Sequence, residues 1–320
     1  MKHLLCVLVA LVSSLSFAQD FPVTIEHKYG STTLTKKPER IVTVGLTDQD
    51  ALLALGITPV GTTEWLGGNY PGAVLPWAQD KLGDEIPEVI GDASAINFET
   101  ITALKPDVIL ALFSGVTQDE YALLSQIAPT VAQPSAYVDY GIPWQEQTRT
   151  VGRVVGMAVE ADALVKGVEE RFEQIRAEHP EFEGATAVAV STSERLYVYG
   201  PEDARGRLLT SLGFVLPEGL SEVTGEEFGG TLSEEQVDLL DVDVIIVLDA
   251  DKAEGPLGGP IYSSLDVARE KREVFIGSSN QLLNDATFFV SVLSLPYVLE
   301  TLVPRLAAAV DGDPNTSADQ

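Results

Sequence analysis

Asn97-Phe98-Glu99-Thr100-Ile101-Thr102-Ala103-Leu104-Lys105-Pro106-Asp107-Val108-Ile109-Leu110 returns later in the chain as Ser233-Glu234-Glu235-Gln236-Val237-Asp238-Leu239-Leu240-Asp241-Val242-Asp243-Val244-Ile245-Ile246, in register and without a gap. In each copy a polar cap, a Glu in the first turn and apolar residues at helical spacing lead through a short turn and an Asp into an aliphatic run. A run apolar at every position is the pattern of a strand buried on both faces, so each copy reads as a helix feeding a parallel strand. Leu52 to Ile57 is echoed by Leu208 to Phe214, an apolar helix stopped by Gly56 or Gly213 just past its C-cap. The expected fold is α/β, with two Rossmann-like α/β lobes, and the cleft between two lobes is where a small ligand binds.

Outward from the repeat, Phe21 to Leu34 alternates as a hairpin, and Arg40 to Val44 reads as a strand. Thr47 or Asp48 is the expected cap of a helix through Leu55, and Thr58 to Gly61 leads into the next strand. Residues 62–84 form a long loop with Gly and Trp, of a length that more often carries function than not. Trp144 to Val155 and Ala158 to Glu178 read as helices that join the lobes. A helical link is stiffer than extended strands, so little closure on ligand binding is expected. The expected organisation is a leader at 1–18, an N-terminal α/β lobe at 19–143, the helical connector at 144–180, a C-terminal α/β lobe at 181–311 and a polar tail at 312–320.

Met1-Lys2-His3, the apolar stretch Leu4 to Leu15 and the triplet Ser16-Phe17-Ala18 have the three regions of a secretory signal peptide, with a mature start at Gln19. The apolar run is too short to span a bilayer. The single cysteine, Cys6, lies inside it, so the mature chain has no disulfide and no thiol chemistry, and a lipid anchor there would need a far longer leader. The expected product is soluble, exported, without a membrane anchor and monomeric. With 48 acidic against 20 basic residues, the formal charge of −28 argues against nucleic acid and anionic membrane surfaces as partners.

Catalytic chemistry finds no support in the motifs. There is no dinucleotide or phosphate-binding glycine loop, no nucleophile elbow and no H-E-x-x-H. Beyond the leader the only histidines are His27 and His179, too few for a metal cage, so no catalytic residue, resident metal or cofactor is expected. Aromatic and guanidinium side chains remain, on the loops beyond strand ends: Trp65, Tyr70, Phe113, Tyr137, Tyr140 and Trp144 in the first lobe, Arg195, Arg205, Phe288 and Phe289 in the second. They suit a bulky, partly apolar ligand that can carry negative charge. Trp65, Tyr70, Tyr137, Tyr140, Arg195, Arg205 and Phe288 are the candidate ligand-binding residues. Among the arginines, Arg195 is favoured, because its Ser-Thr-Ser-Glu-Arg loop directly follows a buried strand.

Several motifs together resemble the periplasmic substrate-binding proteins of iron-siderophore, haem and cobalamin ABC importers: Lys37-Pro38-Glu39-Arg40-Ile41-Val42, Leu55-Gly56-Ile57-Thr58-Pro59-Val60-Gly61, the Asn97 segment, Leu232-Ser233-Glu234-Glu235-Gln236 and Leu293-Ser294-Leu295-Pro296-Tyr297. Tyr197 to Pro201 with Arg205-Gly206-Arg207 resembles the ferric-siderophore branch. The resemblance implies a class III periplasmic binding protein fold, with the lobes joined by a long helix, and a periplasmic location. It also implies a ferric siderophore, or similar metal chelate, as ligand, with delivery to an ABC importer permease. By the same resemblance Glu99 and Glu235 are the carboxylates that dock the two lobes on that permease. The few basic residues favour a neutral or mildly charged hydroxamate, or a mixed carboxylate chelate. Haem or cobalamin on the same scaffold is the alternative, and an exported α/β enzyme a more distant one.

Overall fold

A computed structural model describes residues 21–65, 70–92, 94–192, 195–225, 227–311 and 313. The expected leader therefore lies outside the described residues, as does nearly all of the expected tail. In the first lobe, β1 (Val23–His27) and β2 (Gly30–Leu34) form a separate antiparallel hairpin. The strands β3 (Ile41–Thr43), β4 (Gly61–Glu64), β5 (Glu88–Asp92), β6 (Ala95–Ile96), β7 (Val108–Ala111) and β8 (Thr130–Ala132) form one sheet, in the order β6-β5-β4-β3-β7-β8. Only the β5/β6 edge pair is antiparallel. Because side chains alternate across a strand, Ile41, Val108 and Leu110 join one apolar cluster with α1 (Asp48–Ala54), while Val42, Ile109 and Ala111 join another under α2 (Phe98–Leu104) and α3 (Gln118–Ile127).

The connector is two helices, α4 (Trp144–Val154) and α5 (Ala158–Glu178), separated at Gly156. Val151 and Val154 of α4 and Ala161 of α5 belong to the first lobe's core, whereas Val165, Val168, Phe172 and Ile175 of α5 belong to the second lobe's. One helix thus serves two cores, which fixes the lobes to a common spine.

The second lobe's sheet runs β11-β10-β9-β12-β13, with β9 (Ala187–Ser191), β10 (Tyr197–Tyr199), β11 (Gly229–Thr231), β12 (Val244–Leu248) and β13 (Glu273–Ile276). The strands β9, β12 and β13 are parallel, and β10 runs antiparallel to both of its neighbours. Its two faces again alternate. Ala187, Ala189, Val244 and Ile246 pack toward α6 (Ala204–Ser211), α9 (Gln281–Phe288) and α10 (Ser294–Val310), and the intervening residues pack toward α7 (Leu220–Thr224) and α8 (Asp266–Arg269).

The repeated segments both lead into buried parallel strands, but their helices differ. The first is the α-helix α2, its N-cap Asn97 accepting the Thr100 N–H at 3.0 Å. The second, Glu234–Leu240, is a 3₁₀ helix.

The expected capping of α1 is also corrected. Thr47 occupies the cap position without a side-chain cap bond, and its hydroxyl accepts from Gln147 Nε2 at 2.7 Å. Asp48 lies inside the helix, buried, where it accepts the Leu112 N–H at 2.8 Å, the Phe113 N–H at 3.1 Å and the Gln147 amide at 2.7 Å. The carboxylate is thus the fastener between α1, the end of β7 and the connector.

Asp50, two residues on, crosses between lobes. Its buried Oδ2 accepts from Trp77 Nε1 at 2.8 Å and from the hydroxyl of Ser291, between α9 and α10, while Oδ1 has no partner. Burial pushes its pKa from 3.8 up to about 6, against the pull of the two hydrogen bonds. A carboxyl whose folded pKa is raised favours the fold when protonated, so this contribution is complete below about pH 4 and is lost as pH rises through about 6. The gap corresponds to about 3 kcal/mol. Urea unfolding from pH 4 to 7 is expected to show the Asp50→Asn protein gaining about that much relative to the parent. A difference that stays flat with pH would mean that Asp50 does not titrate in this window.

Candidate functional site

A cavity of about 510 Å³ opens between the lobes. Leu46 and Phe289, both buried, make its floor together with Phe113 and Tyr140, a cluster drawn from both lobes. Trp65 stands at its side, 47% exposed, with its ring edge-on to Phe289 at 5.8 Å. Phe113 and Tyr140 meet edge-on at 5.7 Å. From the second lobe, Tyr197 and Tyr199 extend from β10 with ring centres 5.3 Å apart. Phe228 lies 6.1 Å from Tyr197, and Phe288 lies 6.4 Å from Tyr199. Period-two alternation explains the tyrosine pair: Val198 between them is fully buried in the core beneath the sheet.

Arg205, the one arginine of the cavity wall among the described residues, stands over the Tyr199 ring at 3.9 Å and near the Phe288 ring at 5.0 Å. Asp203 grips it twice, Nε donating to Oδ1 and Nη2 to Oδ2, each at 2.6 Å. The same Asp203 caps α6 by accepting the Arg205 backbone N–H at 2.7 Å. Gly206 makes this placement possible. A Cβ there would lie 2.1 Å from the Gly200 carbonyl oxygen, so only glycine lets α6 start this close to the preceding turn. Burial raises the phenol pKa values of Tyr140 and Tyr197 and pushes that of Tyr199 up to about 12, so all three rings are neutral. Among the described residues no cluster of three or more His, Cys, Asp or Glu could hold a metal ion.

The profile of the periplasmic binding protein family matches residues 41–276, which span both lobes and the connector. The chain belongs to that family. Its role there is to bind a solute rather than to catalyse a reaction. The Fe(3+) dicitrate-binding periplasmic protein FecB of Escherichia coli is 30% identical to it over 211 residues, 65% of this chain and 67% of that protein. The structure of PiaA from Streptococcus pneumoniae in complex with ferrichrome superposes with a TM-score of 0.79 at 30% identity, covering 91% of this chain and 99% of that one. A periplasmic solute binding protein from Mycobacterium smegmatis gives 0.77 at 35% identity, covering 90% and 99%.

In this periplasmic binding protein, Trp65, Tyr140, Arg205 and Phe288 of the sequence candidates come together at the cavity. Tyr70 lies beside it, in a small recess with Trp65 and Leu75. Tyr137 faces a separate groove of about 420 Å³ with Trp144 and Arg207, whose guanidinium lies 5.8 Å from its ring. Arg195 is exposed on the turn between β9 and β10 and does not line the cavity. The chain reverses directly into an antiparallel partner there, so the strand residues Tyr197 and Tyr199, not the turn, face the ligand space. Sequence reasoning missed these two, along with Phe228, Asp203, Leu46 and Ser94. The Tyr-Val-Tyr alternation and the Asp two residues before Arg205 were the available signals. Glu99 and Glu235 are exposed, and neither lines the cavity.

Proposed function

We propose that this periplasmic binding protein captures a ferric siderophore, iron already wrapped in an organic chelator, in the interlobe cavity and presents it to the permease of an ABC importer. The observation that carries the reading is the cavity wall, eight of whose twelve described residues are aromatic. Rings offer contact area at low entropic cost and suit an organic surface, whereas a bare ion needs converging oxygen, nitrogen or sulfur donors. The neutral phenols fit the same reading, since they meet the ligand as hydrogen-bonding groups and not as phenolate ligands to iron. FecB is named for ferric dicitrate, and PiaA, described as belonging to an iron uptake ABC transporter, was crystallised with ferrichrome. Residues 1–18 act as a cleaved export signal, and the mature chain works outside the cytoplasm as a monomer. No helix among the described residues is long and apolar enough to cross a membrane.

The test is titration of the purified mature protein, followed by tryptophan fluorescence, with ferrichrome, ferrioxamine B, ferric dicitrate, ferric enterobactin, haem, cobalamin and ferric ion alone. Saturable quenching by a ferric siderophore, with none by the free ion, is the expected result. Tight binding of free iron, or of haem or cobalamin in place of every ferric siderophore, would overturn the reading.

A further inference from the structure

The charge in the cavity is cancelled before any ligand arrives. Arg205 is 8% exposed and Asp203 is 3% exposed, and their bidentate contact engages Nε and Nη2 of the guanidinium. Among the described residues, further acidic side chains lie near this wall: Glu64 borders the recess behind Trp65, Glu227 acts on Tyr197 and Asp249 on Tyr199. The whole chain carries −28. A polyanionic chelate entering this space would lose water against aromatic walls and meet no net positive charge in return. A neutral chelate escapes that cost, and a cationic one is drawn by the ring faces and by the field of the protein.

We infer that Asp203 sets the charge class of the ligand: by neutralising Arg205 within the cavity it admits electroneutral or cationic ferric chelates and excludes polyanionic ones. The inference rests on the ferric-siderophore reading above and separates this chain from FecB, whose named ligand is an anionic chelate. Asp203→Asn tests it directly. Asparagine keeps the size of the side chain and an oxygen that can cap α6, but releases the charge of Arg205 to the cavity.

Kd values are to be measured for ferrichrome, which is neutral, ferrioxamine B, which is cationic, and ferric enterobactin, which is polyanionic, on parent and variant at matched ionic strength. The parent should favour ferrichrome or ferrioxamine B over ferric enterobactin by at least about tenfold. In the variant the ratio should move toward ferric enterobactin by about tenfold or more, and that shift should shrink at high salt. A parent that prefers the polyanion, or a folded variant with an unchanged ratio, overturns the inference and leaves the siderophore reading standing. Should the variant fail to fold, the parent's own preference decides. Binding of no ferric chelate at all overturns both.

Discussion

The protein carrying Glu99→Ala together with Glu235→Ala is expected to bind its ligand with the parent's affinity and to support no uptake through its importer. Both carboxylates are exposed in the first turns of the two repeated segments, neither lines the cavity, and neither makes an ion pair among the described residues. Locally each is worth only about 0.3–1 kcal/mol as a negative charge at a helix start, so the fold should tolerate the loss. Their place in equivalent positions on separate lobes suits a two-point dock, and charges at a rim steer and orient a partner without touching a distant site. Uptake of radio-iron by cells that carry the cognate importer, set beside fluorescence titration of the purified variant, checks both halves. Normal uptake with damaged ligand binding would remove the docking role.

Arg205→Ala is expected to lower the unfolding free energy by about 3–5 kcal/mol. The substitution strips the partner from a carboxylate that is nearly inaccessible and removes the cation stacked on Tyr199. Most of the stability loss comes from the charge left behind. The double variant Arg205→Met with Asp203→Asn, which buries no charge, should therefore regain much of it. Urea unfolding of the three proteins measures this directly. A single variant as stable as the parent would show that the pair is effectively solvated.

The architecture was legible because parallel strands buried on both faces write unbroken aliphatic runs, as at Val108 to Ala111 and Val244 to Leu248, and because the chain repeats the unit. Gly56 and Gly213, each at positive φ just past a helix, marked the stops. The cavity was legible only where its residues sit on loops. Trp65 and Tyr140 follow the rule that ligands lie beyond strand ends, but Phe288, read as a loop residue, is the last residue of α9, Tyr197 and Tyr199 are strand residues, and β10 enters the wall because it runs antiparallel at the sheet's side. Arg205 reaches the site through a backbone approach at Gly206 that depends on a turn placed only in three dimensions. Likewise, that Asp50 meets Ser291 in the other lobe is set by the packing of α1 against the connector, and nothing local in either segment announces it.

That contact between Asp50 and Ser291 shares its acceptor oxygen with Trp77, whose ring packs against the Leu46 and Phe289 cluster of the floor. A receptor space whose base is already bonded across, on a spine that two cores share, is expected to keep its shape when the ligand comes. Capture should then need only encounter and docking. Its observed rate should climb in proportion to ligand concentration, without the plateau that a slow rearrangement would impose, and differences in affinity among chelates should appear in how long each one stays.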